Sequence, residues 1–288
     1  MKYAFIKANQ SDYSVCLMCE VFSLSTSAYY EWLKCPVSLH AQEDQRLSEK
    51  IKSAYKASRG IYGARRIRED LFAQGEKVSR ARVERLMKAQ GLKSKVQKQF
   101  KATTDSTHSL PIFPNHLNRR FNVDVPDKVY VGDITYIPTQ EGWLYLAVLI
   151  DLYSRAVVGW AMASHMKASL VNDALLMAVF KRRPEAGLML HSDRGSQYAS
   201  GLYQKTINQN QFICSMSRKG NCWDNAPCES FFHTLKTELC HHDNYQTRDQ
   251  AQQAIFEYIE VFYNRKRRHS TVGYLAPLHF EQMNRKAA

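Results

Sequence analysis

The stretch KVYVGDITYIPTQEGWLYLAVLIDLYSRAVVGWAM, residues 128–162, indicates the fold of the C-terminal part of the chain. KVYVGDITYIP alternates in polarity, EGW marks a turn, LYLAVLID is a continuous apolar run, and RAVVGWAM follows another turn. Short alternating or apolar runs bounded by turns are typical of β-strands. The stretch therefore predicts three consecutive strands of one sheet.

Helices and strands alternate after this stretch. We predict a helix over about 168–182, a strand GLMLH at 187–191, a helix from Ala199, and a strand QFICSM at 211–216. Further helices are predicted within GNCWDNAPCESFFHTLKTE, residues 220–238, and over about 247–264. Three strands followed by alternating helices and strands predict an α/β domain, 123–288, with a mixed five-stranded sheet and flanking helices.

The sequence before this domain is basic and helical. The whole chain of 288 residues has a formal net charge of +13. Residues 1–120 contain 22 Lys and Arg against 11 Asp and Glu, whereas residues 121–288 contain 18 against 16. A concentrated basic region is expected of a protein that neutralises nucleic-acid phosphates, although a merely soluble basic surface has the same composition.

The N-terminal part divides by pattern into three segments. Residues 1–40 predict a short module of two helices, and residues 41–92 predict an all-α, helix-turn-helix-like DNA-binding domain. Its last helix, within SRARVERLMKAQG, has one apolar side and one basic side formed by Arg82, Arg85 and Lys88, which we predict to contact DNA. An ordinary amphipathic helix with solvated arginines is the alternative. Residues 93–122 lose all apolar periodicity and predict a basic linker.

Several classes of protein do not fit the composition. The longest apolar run, LYLAVLI, is far shorter than the roughly 20 residues that cross a bilayer, and MKYAFIK lacks the apolar centre of a signal peptide. We expect a soluble, cytoplasmic protein with no membrane partner. Seven cysteines without a framework spacing predict reduced thiols. Cys16 and Cys19 have zinc-ligand spacing, but no second pair follows at finger spacing, and Cys240-His241-His242 is equally isolated.

Two aspartates are candidates for chemistry in the α/β domain. Asp133 lies inside the first predicted strand, on the side of Val131 and Ile137, where an uncompensated carboxylate costs several kcal/mol. A buried ion pair is the alternative explanation. Asp193 follows the strand GLMLH, at a strand end where ligands of α/β sheets usually bind, although a turn-forming Asp is equally compatible with the sequence. Asp151 also ends a strand, and we interpret it as structural, bonded to local backbone or Arg155.

The helical wheel selects a third acid. Asn225, His233 and Lys236 lie within about 40° of Glu229 and form a polar stripe with it. We predict that this stripe faces metal or DNA, with Asn225 and Lys236 as DNA contacts. Two other acids flank it: Asp224 is predicted to cap the helix, and Glu238, about 180° away, is predicted to be solvated.

Together these acids predict a metal site. Carboxylates from a strand, a strand end and a helix can converge on hard divalent cations, which prefer oxygen ligands. A pair of such ions supports in-line attack on a phosphodiester, because one ion activates the attacking oxygen and the other stabilises the leaving oxygen. A basic DNA-binding region makes DNA the expected substrate.

The motifs GDITYIP, DLYSRAVVGW, HSDRGSQYAS and SMSRKGNCWDNAPCESFFHTLKTE, in this order, resemble the catalytic region of bacterial insertion-sequence transposases of the IS-three family. IYGARRI and the helices after it resemble the DNA-binding part of that family's second reading-frame product. The resemblance covers nearly the whole chain. It implies an RNase H-like catalytic core related to retroviral integrases, although their His/Cys zinc module is missing.

The resemblance also implies the site. The family's triad is Asp, Asp, Glu with 35 residues between the second and third acids, and residues 194–228 separate Asp193 from Glu229 in this way. Asp133 occupies the first motif. These three residues are thereby expected to be catalytic and to bind two Mg²⁺ ions, with Mn²⁺ as a substitute. Lys236 matches the family's basic position, which contacts DNA near the cleaved bond.

The implied activity is DNA transposition, recombination and integration. Water hydrolyses one strand at the element end, and the freed 3′-OH attacks another phosphodiester. The implied partners are double-stranded DNA at terminal inverted repeats and targets, further copies of the chain on DNA, and an upstream helix-turn-helix product fused to it. The implied location is the bacterial cytoplasm, at the nucleoid. A noncatalytic DNA-binding regulator and a tyrosine recombinase are the alternatives, and no Arg/His set is evident around Tyr153, Tyr198 or Tyr263 to favour the latter.

Overall fold

The computed structural model describes residues 1–34, 38–95, 111–218 and 221–285. The chain divides into two compact units, Met1–Ser94 and Lys95–Ala288. Within the described ranges, no helix is both long and apolar enough to cross a membrane.

The described part of the first unit is helical, as predicted. Its helices are α1 Lys2–Ala8, α2 Val15–Val21, α3 Thr26–Lys34, α4 Leu39–Ala57, α5 Ala64–Ala73 and α6 Arg80–Ala89. Three helices precede residue 35 where the sequence predicted two, because α1 packs its buried Ile6 with Cys19 of α2 and Tyr29 of α3. The first turns of the chain are therefore part of a small core.

Local sequence signals set the ends of the later helices in this unit. The Ser38 hydroxyl accepts from the Ala41 amide at 3.2 Å at the start of α4, and the Ser79 hydroxyl accepts from the Arg82 amide at 3.2 Å at the start of α6. Gly91 follows α6 with a φ of 68°, a left-handed conformation that glycine adopts readily. The predicted start and stop of the last helix are thus confirmed.

The second unit is built on a mixed five-stranded sheet, as predicted. Its strands are β1 Val129–Thr139, β2 Gly142–Asp151, β3 Val157–Ala163, β4 Met189–Ser192 and β5 Ile213–Met216. The order across the sheet is β3-β2-β1-β4-β5. The first three strands form an antiparallel meander, whereas β4 and β5 run parallel to β1. This topology makes β1 the central strand.

Helices cover both faces of the sheet. They are α7 Ala168–Arg182, α8 Gly201–Gln209, α9 Ala226–Glu238, α10 Arg248–Phe256 and α11 Pro277–Arg285. Leu170 and Ala174 of α7 share a core with Tyr130 and Leu149. A Cβ on Gly159 would lie 2.2 Å from the Ala174 carbonyl oxygen, so glycine is required where α7 crosses β3. Successive β1 side chains point to opposite faces, which leaves the other face of β1 to α9.

The end of the predicted helix over 247–264 differs in its hydrogen bonding. The α-helix gives way to a π-helical segment, Glu257–Tyr263, and the Asn264 amide donates to the Ile259 carbonyl at 3.1 Å. The Asn264 side chain then bonds both the amide and the carbonyl of Val157, each at 2.9 Å. The wider helical turn therefore directs Asn264 at β3, a tertiary contact that helical periodicity alone does not predict.

Candidate active site

Parallel pairing of β1 and β4 brings two predicted acids together. Gly132 is in register with Ser192, so Asp133 and Asp193 occupy the next positions on neighbouring strands, which lie about 4.8 Å apart in sheets. Asp133 is half-buried at the centre of the sheet, and its carboxylate accepts from the Ile134 amide at 2.7 Å. The Asp193 carboxylate accepts from the Gly195 amide at 2.8 Å, which fixes the loop after β4.

The third predicted acid comes from α9, which packs on β1. Glu229 lies in the first turn of α9 and is exposed, and partial desolvation raises the pKa of its carboxyl. The charges of Asp193 and Glu229 both reach Asp133. Burial first, and then these two charges, raise the pKa of the Asp133 carboxyl well above its usual range. The fold thus brings Asp193 and Glu229 within electrostatic reach of Asp133, in the middle of the central strand.

The arrangement is repulsive as it stands. Across the described ranges, no three His, Cys, Asp or Glu side chains are close enough together to hold a metal ion without adjustment. The mutual repulsion at Asp133 nevertheless has the sign that a divalent cation relieves, and carboxylate oxygens are the ligands that hard cations prefer. The donor set therefore fits Mg²⁺ or Mn²⁺.

Among the basic residues predicted to contact DNA, Lys236 lies in the same unit as these acids. It lies on α9 two turns after Glu229, and its Nζ is 5.0 Å from the centroid of the Tyr136 ring. Its positive charge lowers the pKa of Asp133, opposing the acids. The cation–π contact therefore holds half-buried Lys236 where its charge reaches Asp133.

Comparison with known proteins gives the family. The family model for the integrase core domain matches residues 124–222, a second integrase core domain model matches 229–284, and an HTH-like domain model matches 42–100. The transposase InsF for insertion sequence IS3A of Escherichia coli K12 is 41% identical over 286 residues, 99% of each chain. The chain belongs to the IS3 family of insertion-sequence transposases. It is a DNA transposase with an RNase H-like, integrase-type catalytic core.

Two further similarities are to a protein of another insertion element and to a solved structure. An insertion element IS600 uncharacterized 31 kDa protein from Shigella sonnei is 47% identical over 265 residues, 92% of this chain and 97% of that protein. The HTLV-2 integrase catalytic core domain in complex with magnesium is 15% identical, with a TM-score of 0.42 over 54% of this chain and 97% of that one. A likeness at that level carries no argument here.

Asn225 of the transposase is not where the helical wheel predicted it. Its side chain is only 4% exposed and donates from Nδ2 to the Gly132 carbonyl at 3.2 Å. A surface contact with DNA does not fit this burial. The reason is that the α-helix begins only at Ala226, so Asn225 belongs to the preceding 3₁₀ turn and packs on β1.

The predicted capping role of Asp224 is wrong. Asp224 is fully buried, and its carboxylate accepts from the Arg119 Nε at 2.8 Å and from the Arg218 Nη2 at 2.8 Å. The Asn115 amide and the Arg218 backbone amide also donate to it, each at 3.0 Å. These bonds hold its pKa well below the usual range, the Arg218 side chain contributing most. Asp224 therefore fixes the turn that leads into α9.

This network also corrects the predicted linker. Residues 96–110 of the segment 93–122 lie outside the described residues. At the start of the segment, the Lys93 carbonyl accepts from the Tyr55 hydroxyl at 2.6 Å within the first unit. Residues 111–122 pack on the catalytic unit, since the His116 amide donates to the Ser215 hydroxyl at 2.9 Å and Arg119 binds Asp224. The same Ser215 hydroxyl lies 2.9 Å from His191 Nδ1, and burial lowers the pKa of His191 to about 4. Neutral His191 and the segment before β1 thus support β4, the strand that leads to Asp193.

Glu238 is the second acid that the wheel misplaced. Its side chain is 2% exposed and accepts from Arg267 Nη2 at 2.7 Å and from the Tyr258 hydroxyl at 2.7 Å. The side opposite Glu229 is therefore packed against the C-terminal segment instead of being solvated. Asp151 does have the predicted structural role: it accepts from the Ser154 amide at 3.1 Å and hydroxyl at 2.8 Å, but not from the Arg155 side chain.

Tyr198 lies within electrostatic reach of Asp133 and Asp193, and sequence reasoning did not connect it with these acids. It is buried, and its hydroxyl has no hydrogen-bond partner within the residues described. Burial and the charges of Asp133 and Asp193 raise its pKa. Its place in HSDRGSQYAS was a signal, but tyrosine is so often core material that the sequence did not single it out.

Three of the basic residues predicted to contact DNA, Arg82, Arg85 and Lys88, lie on α6, in the first unit. Arg82 Nε donates to Asp44 at 2.8 Å and Arg85 Nη2 donates to the same carboxylate at 2.7 Å. Lys88 is exposed. The two arginines thus tie α6 to α4, which is a packing role beside the predicted DNA-binding role.

Proposed function

We propose that Asp133, Asp193 and Glu229 are the catalytic acids of this transposase. The observation that carries the proposal is the half-buried Asp133 carboxyl, at the centre of the sheet, whose pKa is raised by both other acids. A folded protein keeps such a repulsive group where it serves a ligand or a reaction. The order of the acids and the 35 residues between the last two agree with the family triad.

The cofactor that these residues fit is a divalent cation, and we propose that it is a pair of Mg²⁺ ions. Carboxylates from β1, the loop after β4, and α9 would hold it. When bound, such a pair activates the attacking oxygen and stabilises the leaving oxygen of a phosphodiester. The chain itself keeps the acids in place through the Ile134 and Gly195 amides, and Lys236 supplies a positive charge for a nearby phosphate.

The substrate in this proposal is double-stranded DNA at the terminal inverted repeats of an element, followed by a target. A water oxygen bonds to phosphorus and the 3′-oxygen of the element strand leaves as a hydroxyl. That 3′-OH then attacks a second phosphodiester, forming one P–O bond and breaking another. Joining of two ends requires two bound DNA segments, so we propose that copies of the chain act together. We also propose that the chain acts in fusion with an upstream product, at the nucleoid of a bacterium.

The testing experiment replaces one carboxylate by its amide. Glu229→Gln keeps size and polarity, and we expect it to abolish cleavage and strand transfer of labelled element-end DNA in Mg²⁺ or Mn²⁺. Binding of the same DNA, measured by fluorescence anisotropy without metal, should remain. Glu185→Gln is the matched control, because the Glu185 side chain is 83% exposed and pairs with Lys128.

Strand transfer at the wild-type rate by Glu229→Gln would refute the triad. Tight binding without any cleavage by the wild-type chain, alone and fused to its upstream product, would favour a regulator that only occupies the element ends.

A further inference from the structure

A cavity of about 220 Å³ lies against α9 in the catalytic unit, away from the three acids. Buried Phe231 and Tyr263 form part of its wall, and the exposed Ser230 and Thr271 lie at its opening. Helical periodicity places Phe231 about 200° from Glu229, at 100° per residue. Ser230 and Ala226, which also line the cavity, lie about 100° and 60° from Glu229 on the same wheel. The cavity therefore extends from the flank of α9 to the side opposite the predicted catalytic carboxylate.

The lining of this cavity is electropositive. It includes Arg155 and His269, and among the described residues that line it there is no Asp or Glu. Hydroxyl groups come from Ser230, Thr234 and Thr271, which can donate to an oxygen acceptor. Such a set suits an anion with several oxygens.

Arg155 has donors to spare for such an anion. Its Nη2 donates to the Phe121 carbonyl at 2.9 Å, and a guanidinium has five N–H donors. In the parts of the chain that the structure describes, no carboxylate forms an ion pair with Arg155. The nearest acid, Asp151, bonds Ser154 and the Asp127 amide instead. Burial accordingly lowers the pKa of Arg155 more than Asp151 and Tyr263 raise it.

The backbone at Arg155 is also unusual. Its φ is 66°, in the left-handed region that an arginine rarely adopts, and its amide donates to the Asp151 carbonyl at 2.8 Å. The turn is held by the Asp151 carboxylate, which accepts from the Ser154 amide and hydroxyl. Strained positions of this kind cluster at ligand sites, and this one presents a cation to the cavity.

The start of α9 adds to the positive potential. Ala226 and Pro227, the first residues of this 13-residue helix, line the cavity. A helix N-terminus has unpaired amides and a positive dipole end, which favour anions. It acts here together with a partly buried arginine.

We propose that this cavity binds a backbone phosphate of the DNA substrate, with Arg155 as its main ligand. The inference deepens the proposed function, since it takes DNA as the ligand of the same unit. A helix is about 10–12 Å across, so DNA that reaches Glu229 on one side of α9 extends to Arg155 on the other. The site holds a backbone phosphate at a distance from the one that reacts, and thereby sets the position of the DNA strand.

The first test is the salt dependence of DNA binding by the full chain. Each phosphate contact contributes about −0.9 to the slope of log K against log salt concentration. Arg155→Gln should reduce the magnitude of this slope by about one for an element-end duplex, measured by anisotropy in EDTA. Arg183→Gln is the matched control, because Arg183 also has a positive φ, of 47°, but lies at the C-terminus of α7 and outside the cavity lining.

A second variant covers the case in which Arg155→Gln fails to fold. Ser230→Asp places a negative charge at the cavity opening, at the start of the second turn of α9. Because Ser230 is exposed, we expect the thermal midpoint of this variant to stay close to that of the wild type while DNA binding weakens several-fold. Ser230→Asn, of similar size without the charge, should bind DNA like the wild type.

A chemical change in the DNA identifies the phosphate source. Single methylphosphonate linkages, which are uncharged, are moved along each strand near the cleaved bond. At one position, the methylphosphonate linkage should lower the affinity of the wild-type chain. The same linkage should not lower the affinity of Arg155→Gln any further. Thermal shifts with inorganic phosphate, at constant ionic strength, measure binding of the free anion.

A folded Arg155→Gln chain with an unchanged slope and no methylphosphonate coupling would overturn the proposal, as would normal DNA binding by Ser230→Asp. A shift with inorganic phosphate that Arg155→Gln abolishes, without any effect on DNA, would assign the cavity to a free anion instead. Failure of the triad has a different signature: Glu229→Gln would remain active while the Arg155 results stayed as expected.

Discussion

At the scale of single residues, the position of Asp133 lowers the stability of the metal-free folded chain. Its carboxyl is half-buried beside Asp193 and within reach of Glu229, so ionisation at neutral pH destabilises the metal-free chain. Lys236 compensates only partly. The carboxylates are thus a source of instability that a bound divalent cation converts into stability, because a ligand that binds only the folded state stabilises it.

We therefore expect Asp133→Asn to raise the thermal midpoint of the metal-free chain and to remove the rise that Mg²⁺ or Mn²⁺ gives the wild type. Differential scanning fluorimetry with and without EDTA measures both effects. Asp173→Asn, at an exposed position of α7, should change neither. A metal-dependent rise of wild-type size in Asp133→Asn would contradict the proposed metal site.

Asp224 gives a pH-dependent prediction. Its folded-state pKa is lowered, chiefly by Arg218, so its contribution to stability is complete above the unfolded value of about 3.9 and is lost as the pH falls from there towards the folded value. We expect Asp224→Asn to lower the urea midpoint at pH 7, and the gap to the wild type to narrow below about pH 4. Asp124→Asn, an exposed control, should show no gap at either pH. A gap that is constant with pH would mean that the ion pairs contribute nothing.

Asp224 and Glu238 mark the limit of sequence reasoning at this scale. A helical wheel placed Glu229 correctly on α9, because its surroundings are set by its own helix. The predicted cap at Asp224 and the predicted exposure of Glu238 were wrong. Asp224 binds Arg218, six residues before it, and also Arg119, 105 residues away, and Glu238 binds Arg267, 29 residues away. Burial of a carboxylate depends on such distant cations, and periodicity carries no information about them.

At the scale of elements, patterns that depend on local chemistry predicted well. The helix over 168–182 has the predicted bounds, and the strand runs fixed the mixed sheet, because alternation and turn residues act within a few positions. The π-helical segment Glu257–Tyr263 was not predictable in this way. It is stabilised by contacts across 100 residues or more, such as Glu260 with Trp160 at 2.8 Å and Asn264 with Val157.

The link between α4 and α6 allows a test of the predicted DNA-binding helix. Asp44 holds both Arg82 and Arg85, and these bonds lower its pKa. Asp44→Asn should release the two arginines, raise DNA affinity and steepen its salt dependence, while lowering the thermal midpoint. Anisotropy over a salt series measures the first two effects.

The control for Asp44→Asn is Glu84→Gln, which removes one charge from the exposed side of α6. The excess gain of Asp44→Asn should disappear when Arg82→Ala and Arg85→Ala are added. Equal DNA binding by Asp44→Asn and Glu84→Gln would leave α6 with a packing role only.

At the scale of the whole molecule, positive charge is denser in the first unit. Residues 1–94 contain 17 Lys and Arg against 10 Asp and Glu, a net charge of +7, whereas residues 95–288 contain 23 against 17, a net charge of +6 over about twice the length. The proposed catalytic acids are all in the second unit. Each unit has its own buried core, around Ile51 and Ile67 in the first and around Tyr130 in the second. Binding and catalysis are therefore expected to be separable.

Two fragments test this separation. Residues 1–95 should bind duplex DNA with a strong salt dependence and no cleavage, since they hold the basic helices but none of the acids. Residues 111–288 should keep the thermal rise with Mg²⁺ or Mn²⁺, because Asp133, Asp193 and Glu229 lie within one compact unit, and should bind DNA more weakly than the full chain. Circular dichroism establishes that each fragment is folded. A folded second fragment that binds DNA as tightly as the full chain would move the main DNA contacts to the catalytic unit, where Arg155 and Lys236 would have to supply them.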